Sequence, residues 1–462
     1  MQPVTFAPAA ALVTPMPTLK ARIFNAGGWT IGGLALGHII RLGSNLLMTR
    51  LLVPEVFGMM AIAALIMYGL ALFSDLGLRQ NIVQSARGND AAFLNTAWLI
   101  QIARGVLLWL LALAASLLVV AANHAGLVSP GTVYAEPELP YVIAAVSLSA
   151  VILGFASTRA FEASRKLALG RVTQIEIVSQ VAGLVAMLAW VAVDRTIWAL
   201  VAGSLCSTLI KTVLSHVWMP GTANRWQWDA AAFDEILRFG KWIFLSSILG
   251  FVVNSGDRLL LSALVTSTVL GVYVIAFLIF AALEQLMSSM IGNVLYSALS
   301  EIARERPADL RTSYYRFHSA VAAFAYFSAG ALMVGGHTLI GLLYDPRYAD
   351  AGWMLEILAA ALITVPFEIA AQCFVALGKP ALLSNIIAAR LAGLLVLTPL
   401  GFYFGGLHGA LWGIALSYFA CLPPTVYYCV KHGLFDARRE LLLLPLVPVG
   451  MLAGKAFNLV LT

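Results

Sequence analysis

The segment GGLALGHIIRLGSNLLMTRLLVPEVFG, residues 32–58, is apolar enough to lie in lipid, yet Arg41 stands in its middle with His38, Ser44 and Asn45 around it. A charge at mid-bilayer costs about 2.5–3.5 kcal/mol on the insertion scale. It persists by facing water, a partner or a ligand. The same segment returns 213 positions later: Gly37 falls on Gly250, Arg41 on Asn254, Ser44 on Asp257, and LLVPEVFG (51–58) on LVTSTVLG (264–271). Thr30, Gly33, Gly37, Arg41 and Ser44 share one helix face by their 3, 4, 4, 3 spacing. Ser247, Gly250, Asn254 and Asp257 repeat that polar, glycine-notched stripe. The chain therefore reads as two related halves, each opening on a striped helix.

The bulk composition agrees with a lipid environment. Hydrophobic residues make up 61% of the 462, charged residues only 11%, and the mean hydropathy is +0.90. A soluble domain is roughly a quarter charged and needs a polar exterior that this chain cannot supply. The apolar runs are far longer than the roughly ten alternating residues of a barrel strand, so the fold class is all-α and polytopic. Thirteen spans are expected: 26–49, 58–78, 96–121, 140–160, 172–193, 197–218, 242–262, 269–294, 319–342, 352–374, 382–403, 406–428 and 441–461. Twelve fall into two six-helix bundles, and the last is an extra helix. With both halves starting on the same side, the repeat is parallel, and two such bundles enclose a central cavity.

Basic residues orient the spans. Of the 28 Lys and Arg, the links on one side hold all but nine; the links on the other hold Arg50, Arg195, Arg258 and Arg347, and Arg41, Arg104, Lys211, Arg390 and Lys455 lie within spans. The basic side is read as cytoplasmic, with the N-terminus on it. The chain then divides into a cytoplasmic tail (1–23), an N-terminal lobe (24–219), a cytoplasmic linker (220–241) containing a short amphipathic surface helix, a C-terminal lobe (242–428) and an extra helix (429–462). The net charge of +6 is matched by anionic lipid headgroups, and no nucleic-acid partner is expected. Four cysteines sit in or beside apolar runs without a CxxC pair, so no disulfide or metal site is indicated.

The intramembrane polar residues are the site candidates. Arg41, Arg104 and Arg390 are candidate cavity cations. Asn45, Asn254, Gln285 and Asn293 are candidate cavity hydrogen-bonding groups. Asp257, Glu284, Asp75 and Glu368 are candidate ion-coupling carboxylates. The alternatives are structural: Arg41 neutralises Asp75, Asp257 or Glu284; Glu368 pairs with Arg390; Glu176 pairs with Arg171 or Lys211; Lys211 snorkels to the membrane surface. Walker A, GxSxG and HExxH motifs are all missing, which excludes the familiar ATP-driven, hydrolase and zinc-protease chemistries and leaves a transporter rather than an enzyme. No cofactor is expected.

RLGSNLLMTRLLVPEVFGMMAIAALIMYGLALFSDLGLRQNIVQ (41–84), NSGDRLLLSALVTSTVLGVYVIA (254–276) and LIGLLYDPRYADAGWMLEILA (339–359) resemble the Wzx-type oligosaccharide flippases, in their exopolysaccharide-exporting branch. The resemblance implies a V of two six-helix bundles, shared with multidrug extruders and lipid II flippases. It implies translocation of an undecaprenyl-diphosphate-linked oligosaccharide across the bacterial inner membrane by alternating access, coupled to H+ or Na+, beside a polysaccharide polymerase and glycosyltransferases. Forked guanidinium donors suit the diphosphate, amides suit the sugar, and the polyprenyl tail stays in lipid. The alternative expectation is an ion-coupled multidrug or metabolite extruder, whose cationic cargo calls for an acid-dominated cavity.

Overall fold

The computed structural model describes residues 36–73, 78, 82, 85, 87–165, 170–295, 299, 301–303 and 306–461, His38 excepted. Thr30, Gly33 and Asp75 lie outside the described residues, and Ser247, Gly250, Asn254 and Asn293 are described in backbone only. Among the described residues all regular structure is helical. The first half comprises α1 (39–51), α2 (Pro54–Phe73), α3 (Ala91–His124), α4 (Leu139–Gly154), α5 (Arg159–Arg165), α6 (Gly170–Val191) and α7 (Trp198–Val217). α4 and α5 meet at a bend of 64°.

The second half comprises α8 (Ala230–Ser262), α9 (Ser267–Met290), α10 (Leu310–Leu343), α11 (Ala351–Ala359), α12 (Glu368–Ala376), α13 (Pro380–Phe419) and α14 (Leu422–Lys431); α15 (Ala437–Leu443) and α16 (Leu446–Leu461) follow it. Among the described residues nine helices are long and apolar enough to cross a membrane, or ten counting the bent α4–α5 pair, against the thirteen spans expected. Residues 26–35 of the expected first span lie outside the described residues. The molecule is a multi-pass membrane protein. Two interruptions have local causes. Pro366 removes an N–H donor, and Ala360–Phe367 tightens into a 3-10 stretch between α11 and α12. At Gly405 and Gly406 the helical path of α13 breaks, with Gly406 at φ 56°, a value favouring glycine. The chain reverses there: Gly393 lies against Ser417 and Ala420, and Gly413 against Leu397, so α13 is a hairpin of two antiparallel halves.

The linker differs from expectation. The amphipathic segment and the seventh span are one continuous helix, α8, of 33 residues. Its N-cap Asp229 accepts hydrogen bonds from the Ala231 and Ala232 amides and is also bound by Arg87. The Arg87 guanidinium holds the Asp229 carboxyl below the ordinary carboxylate range, while its own value is raised. Asn95 accepts from the Arg225 amide, and Thr96 accepts from the Asp229 amide. Trp98 packs edge-on against Trp226. The start of the second half is thereby stitched to the basic end of the first.

The halves meet along α2. α2 begins at Pro54 and α9 at Ser267, 213 positions apart. A Cβ on Gly58 would strike the Ser267 carbonyl, and one on Gly271 would strike the Pro54 carbonyl. The contact is reciprocal, as a pseudo-twofold axis between the repeats requires. Further along, Gly69 faces the Phe251 ring, where an added Cβ would come within 2.8 Å. Eleven residues of helix separate Gly58 from Gly69, so the seam runs on the order of 16 Å down α2. It starts at the end of the molecule bearing Arg50 and Arg347.

The C-terminal helix is built into the second half. Gly450 of α16 sits against the Phe327 carbonyl, Gly330 of α10 against the Val447 carbonyl, and Gly454 against Ala331. This small-residue packing gives close helix contact in lipid. Below it, the fully buried His318 lies between Tyr314 (3.3 Å from Nδ1) and Glu440 of α15 (3.1 Å from Nε2).

Candidate functional site

A cavity of about 660 Å³ opens within the first half. Its walls come from α2, α3, α4, α5, α6 and α7. Glycine sets the wall between α3 and α4: a Cβ on Gly105 would come within 2.5 Å of the Ala150 carbonyl, and one on Gly154 within 3.2 Å of the Ile102 Cα. The Gln101 amide donates to the Leu153, Gly154 and Ala156 carbonyls at 2.9–3.0 Å, satisfying acceptors where α4 ends. Three residues further along the same face of α3, Arg104 reaches the cavity and donates to the Ala71 carbonyl of α2 at 2.6 Å. On the opposite wall Lys211 of α7 and Glu176 of α6 form an ion pair, each a little under half exposed. Ser149, Ser157, Ser164 and Tyr68 complete a mostly apolar lining with isolated polar groups.

A second polar cluster lies in the other half. Asp257 of α8, 6% exposed, accepts a hydrogen bond from the buried Tyr273 hydroxyl of α9. Its other oxygen is 3.7 Å from Arg258 Nε, and the Arg258 guanidinium lies 4.7 Å from the Phe277 ring centre. Glu284, one face further along α9, interacts electrostatically with Arg390, Asp257 and Arg258. The Arg390 guanidinium rests 3.8 Å from the Tyr418 ring centre, a cation–π contact. Glu368 accepts from Ser288 at 2.8 Å.

Of the three expected cations, one lines this cavity. Arg104 lines the cavity; Arg41 and Arg390 are absent from its walls. Arg41 is exposed on α1 and pairs with neither Asp257 nor Glu284; Asp75, its third suggested partner, lies outside the described residues. Asn45 keeps a buried side-chain oxygen without a partner, as does Gln180 of α6, whose amide lies 3.5 Å from a Cβ built on Gly37. Gln285 is exposed on α9. Asn254 lies in α8 and Asn293 in the π-helical turn Ile291–Leu295, described in backbone only. Glu368 and Arg390 form no direct ion-pair contact: Glu368 is held by Ser288 and Arg390 by the Tyr418 ring, although the two charges still act on each other. The expected Glu176 pairing falls on Lys211. Gln101 and Tyr68 were missed as wall residues; the spacing of Gln101 three positions before Arg104 was the available signal. Tyr273 and Tyr418 give no sequence signal beyond being aromatic in apolar helices.

The Polysaccharide biosynthesis protein family model matches residues 47–352. The lipopolysaccharide biosynthesis protein WzxC of Escherichia coli (strain K12) is 20% identical over 354 residues, covering 74% of this chain and 67% of that protein. Among solved structures, the lipid II flippase MurJ in an inward closed conformation superposes with a TM-score of 0.67 at 12% identity, covering 93% of this chain and 92% of that one. An inward-facing multidrug resistance transporter of the MATE family and MOP superfamily gives 0.63 at 13% identity, covering 86% and 94%. These folds belong to transporters and flippases rather than enzymes, in line with the lack of catalytic motifs. The architecture is the V-shaped, two-bundle transporter fold, and the chain belongs to the polysaccharide biosynthesis protein family.

Proposed function

We propose that the protein is a flippase for undecaprenyl-diphosphate-linked oligosaccharide units in the bacterial inner membrane, serving exopolysaccharide export by alternating access. The observation that carries this reading is Arg104 on the wall of a 660 Å³ cavity inside a membrane protein of a polysaccharide biosynthesis family. The cavity is of the size that holds a small headgroup, about 300–1,000 Å³. Arg104 supplies a cation for diphosphate, Gln101 and the wall serines supply sugar contacts, and the polyprenyl chain remains in lipid. The lobes 24–219 and 242–428 rock about the α2 seam, with residues 220–229, the part of the 220–241 linker that precedes α8, as the joint. The basic end faces the cytoplasm together with the N-terminus, following the distribution of Lys and Arg.

Asp257, Glu284 and Glu368 are the carboxylates for coupling to H+ or Na+; Asp75 keeps that role as an expectation. Arg41 and Arg390 act outside the described cavity, Arg41 by meeting the headgroup at the entrance and Arg390 by balancing Glu284. A polymerase and glycosyltransferases act beside the protein. The multidrug-extruder alternative is disfavoured by a cavity wall carrying an arginine. In a strain lacking the gene, surface polysaccharide falls and lipid-linked units accumulate on the cytoplasmic leaflet. Normal polysaccharide output with altered drug resistance contradicts the assignment.

A further inference from the structure

The cavity and the carboxylate cluster leave one sequence motif unused: Tyr344–Asp350, YDPRYAD, in the link between α10 and α11. It reaches across to the other half of the molecule. Arg347 Nη2 donates to the Arg50 carbonyl at 3.2 Å and the Thr49 carbonyl at 3.4 Å. The Tyr348 hydroxyl, buried, donates to the Leu52 carbonyl at 3.2 Å, and its ring meets Phe57 edge-on at 6.0 Å. Thr49 and Arg50 lie in the last turn of α1 and Leu52 directly follows it, where helix carbonyls lack partners and a cation is favoured by the helix dipole.

Asp345 fixes the arginine. It accepts from Arg347 Nε at 2.8 Å and from the Arg347 amide at 3.0 Å, and Pro346 begins the 3-10 turn that carries both donors. Next to this contact the seam is closed by the reciprocal Gly58–Gly271 packing. Thr268 donates to Glu55 at 2.8 Å, and Ser267 donates to Glu136. The donors of Arg347 and Tyr348 belong to one half, and all three carbonyls belong to the other. Separating the halves at this end therefore breaks every one of these bonds.

We propose that Asp345-Pro346-Arg347-Tyr348 is a latch between the halves, in which Arg347 and Tyr348 cap α1 and thereby set the equilibrium between the seam-closed and seam-open states. This rests on the alternating-access reading. Arg347 is a positioning residue: it touches no cavity wall and acts through α1, the helix that carries Arg41.

The test is pulsed electron paramagnetic resonance on the full chain in nanodiscs, with Cys206 and Cys421 replaced by Ala and the buried Cys373 and Cys429 retained. One spin-label pair, Leu127→Cys with Tyr403→Cys, spans the latch end; both positions are about four-fifths exposed. A second, Ala223→Cys with Lys431→Cys, spans the basic end. In the otherwise unsubstituted chain the latch-end pair gives one short distance. Arg347→Gln raises the population of a longer distance on the order of ten-fold, as expected for losing charge-assisted bonds, and the basic-end pair shortens in the same sample. Tyr348→Phe, which keeps the ring and deletes one donor, gives a smaller shift in the same direction. Unchanged distributions in both variants, or lengthening at the latch end with no change at the basic end, overturn the latch. No substrate enters this experiment, so its failure leaves the flippase assignment standing, and a failed flipping assay leaves the latch standing.

Discussion

Glu55 accepts a hydrogen bond from Thr268 at 2.8 Å, and the two residues are separated by 213 positions, the offset of the internal repeat. Equivalent residues of the two halves thus touch each other, which places them on the pseudo-twofold axis. Contacts at such an axis occur once but are specified twice in the sequence.

The glycines beside that pair give the first prediction. Gly58→Ala and Gly271→Ala each push a methyl into a carbonyl of the other half. Overpacking of this kind costs about 1–3 kcal/mol, and the reciprocal geometry makes the two costs similar. Thermal unfolding in detergent measures both. A large loss for one with none for the other contradicts the symmetric seam.

The Lys211–Glu176 pair on the cavity wall contributes little to stability. Both side chains are more than a third exposed, so solvent screening holds their coupling to about 1 kcal/mol or less. A double-mutant cycle with Lys211→Met and Glu176→Gln checks this by thermal unfolding. A coupling of several kcal/mol means that the pair is far drier than its exposure indicates.

How much of this was legible in the sequence follows from where the information lies. The 213-residue offset and the polytopic, all-helical character were readable because lipid demands long apolar runs and repeats preserve spacing. Arg104 as a wall residue was readable as a cation that lipid alone does not tolerate. The separation of Arg104 from Arg390 was not readable, since a one-dimensional pattern does not tell which face of α13 meets Tyr418. The fusion of the linker helix with the seventh span was also hidden, because FDEILRFGKW carries an amphipathic pattern of its own. The reach of Arg347 across the molecule has no local signature beyond an Asp two positions earlier.

Charge pairs at the two membrane surfaces give a pH prediction. Asp229 beside Arg87 and Asp345 beside Arg347 both have carboxyls held below the ordinary Asp value of 3.8. A carboxyl lowered on folding contributes stability above its unfolded value, lost as pH falls through the folded one. These pairs therefore contribute fully well above 3.8 and lose their contribution progressively as pH falls from about 5. Unfolding midpoints measured across pH, with Asp229→Asn and Asp345→Asn as controls, check the sign. Variants that remove a loss centred near neutral pH contradict it.

The C-terminal helix is structural in this account. Glu440→Ala leaves the fully buried His318 without its acceptor, at a cost of about 1–3 kcal/mol. Removal of residues 435–462 uncovers Gly330 and Gly335 of α10 as well, so the truncated chain is less stable than Glu440→Ala. Melting temperature in detergent and monodispersity on gel filtration report both effects. A truncated chain as stable as the full one contradicts the packing described for α16.

The central claim concerns Arg104 and an anionic sugar-lipid headgroup. Purified protein in liposomes, given a polyprenyl-diphosphate oligosaccharide with a fluorescent sugar, is assayed for movement of label between leaflets. The expected result is translocation by the wild type, a fall of about ten-fold or more in Arg104→Ala, and partial recovery in Arg104→Lys, with cavity-remote Lys455→Ala unaffected. Equal translocation by wild type and Arg104→Ala, at equal amounts of folded protein, contradicts the claim.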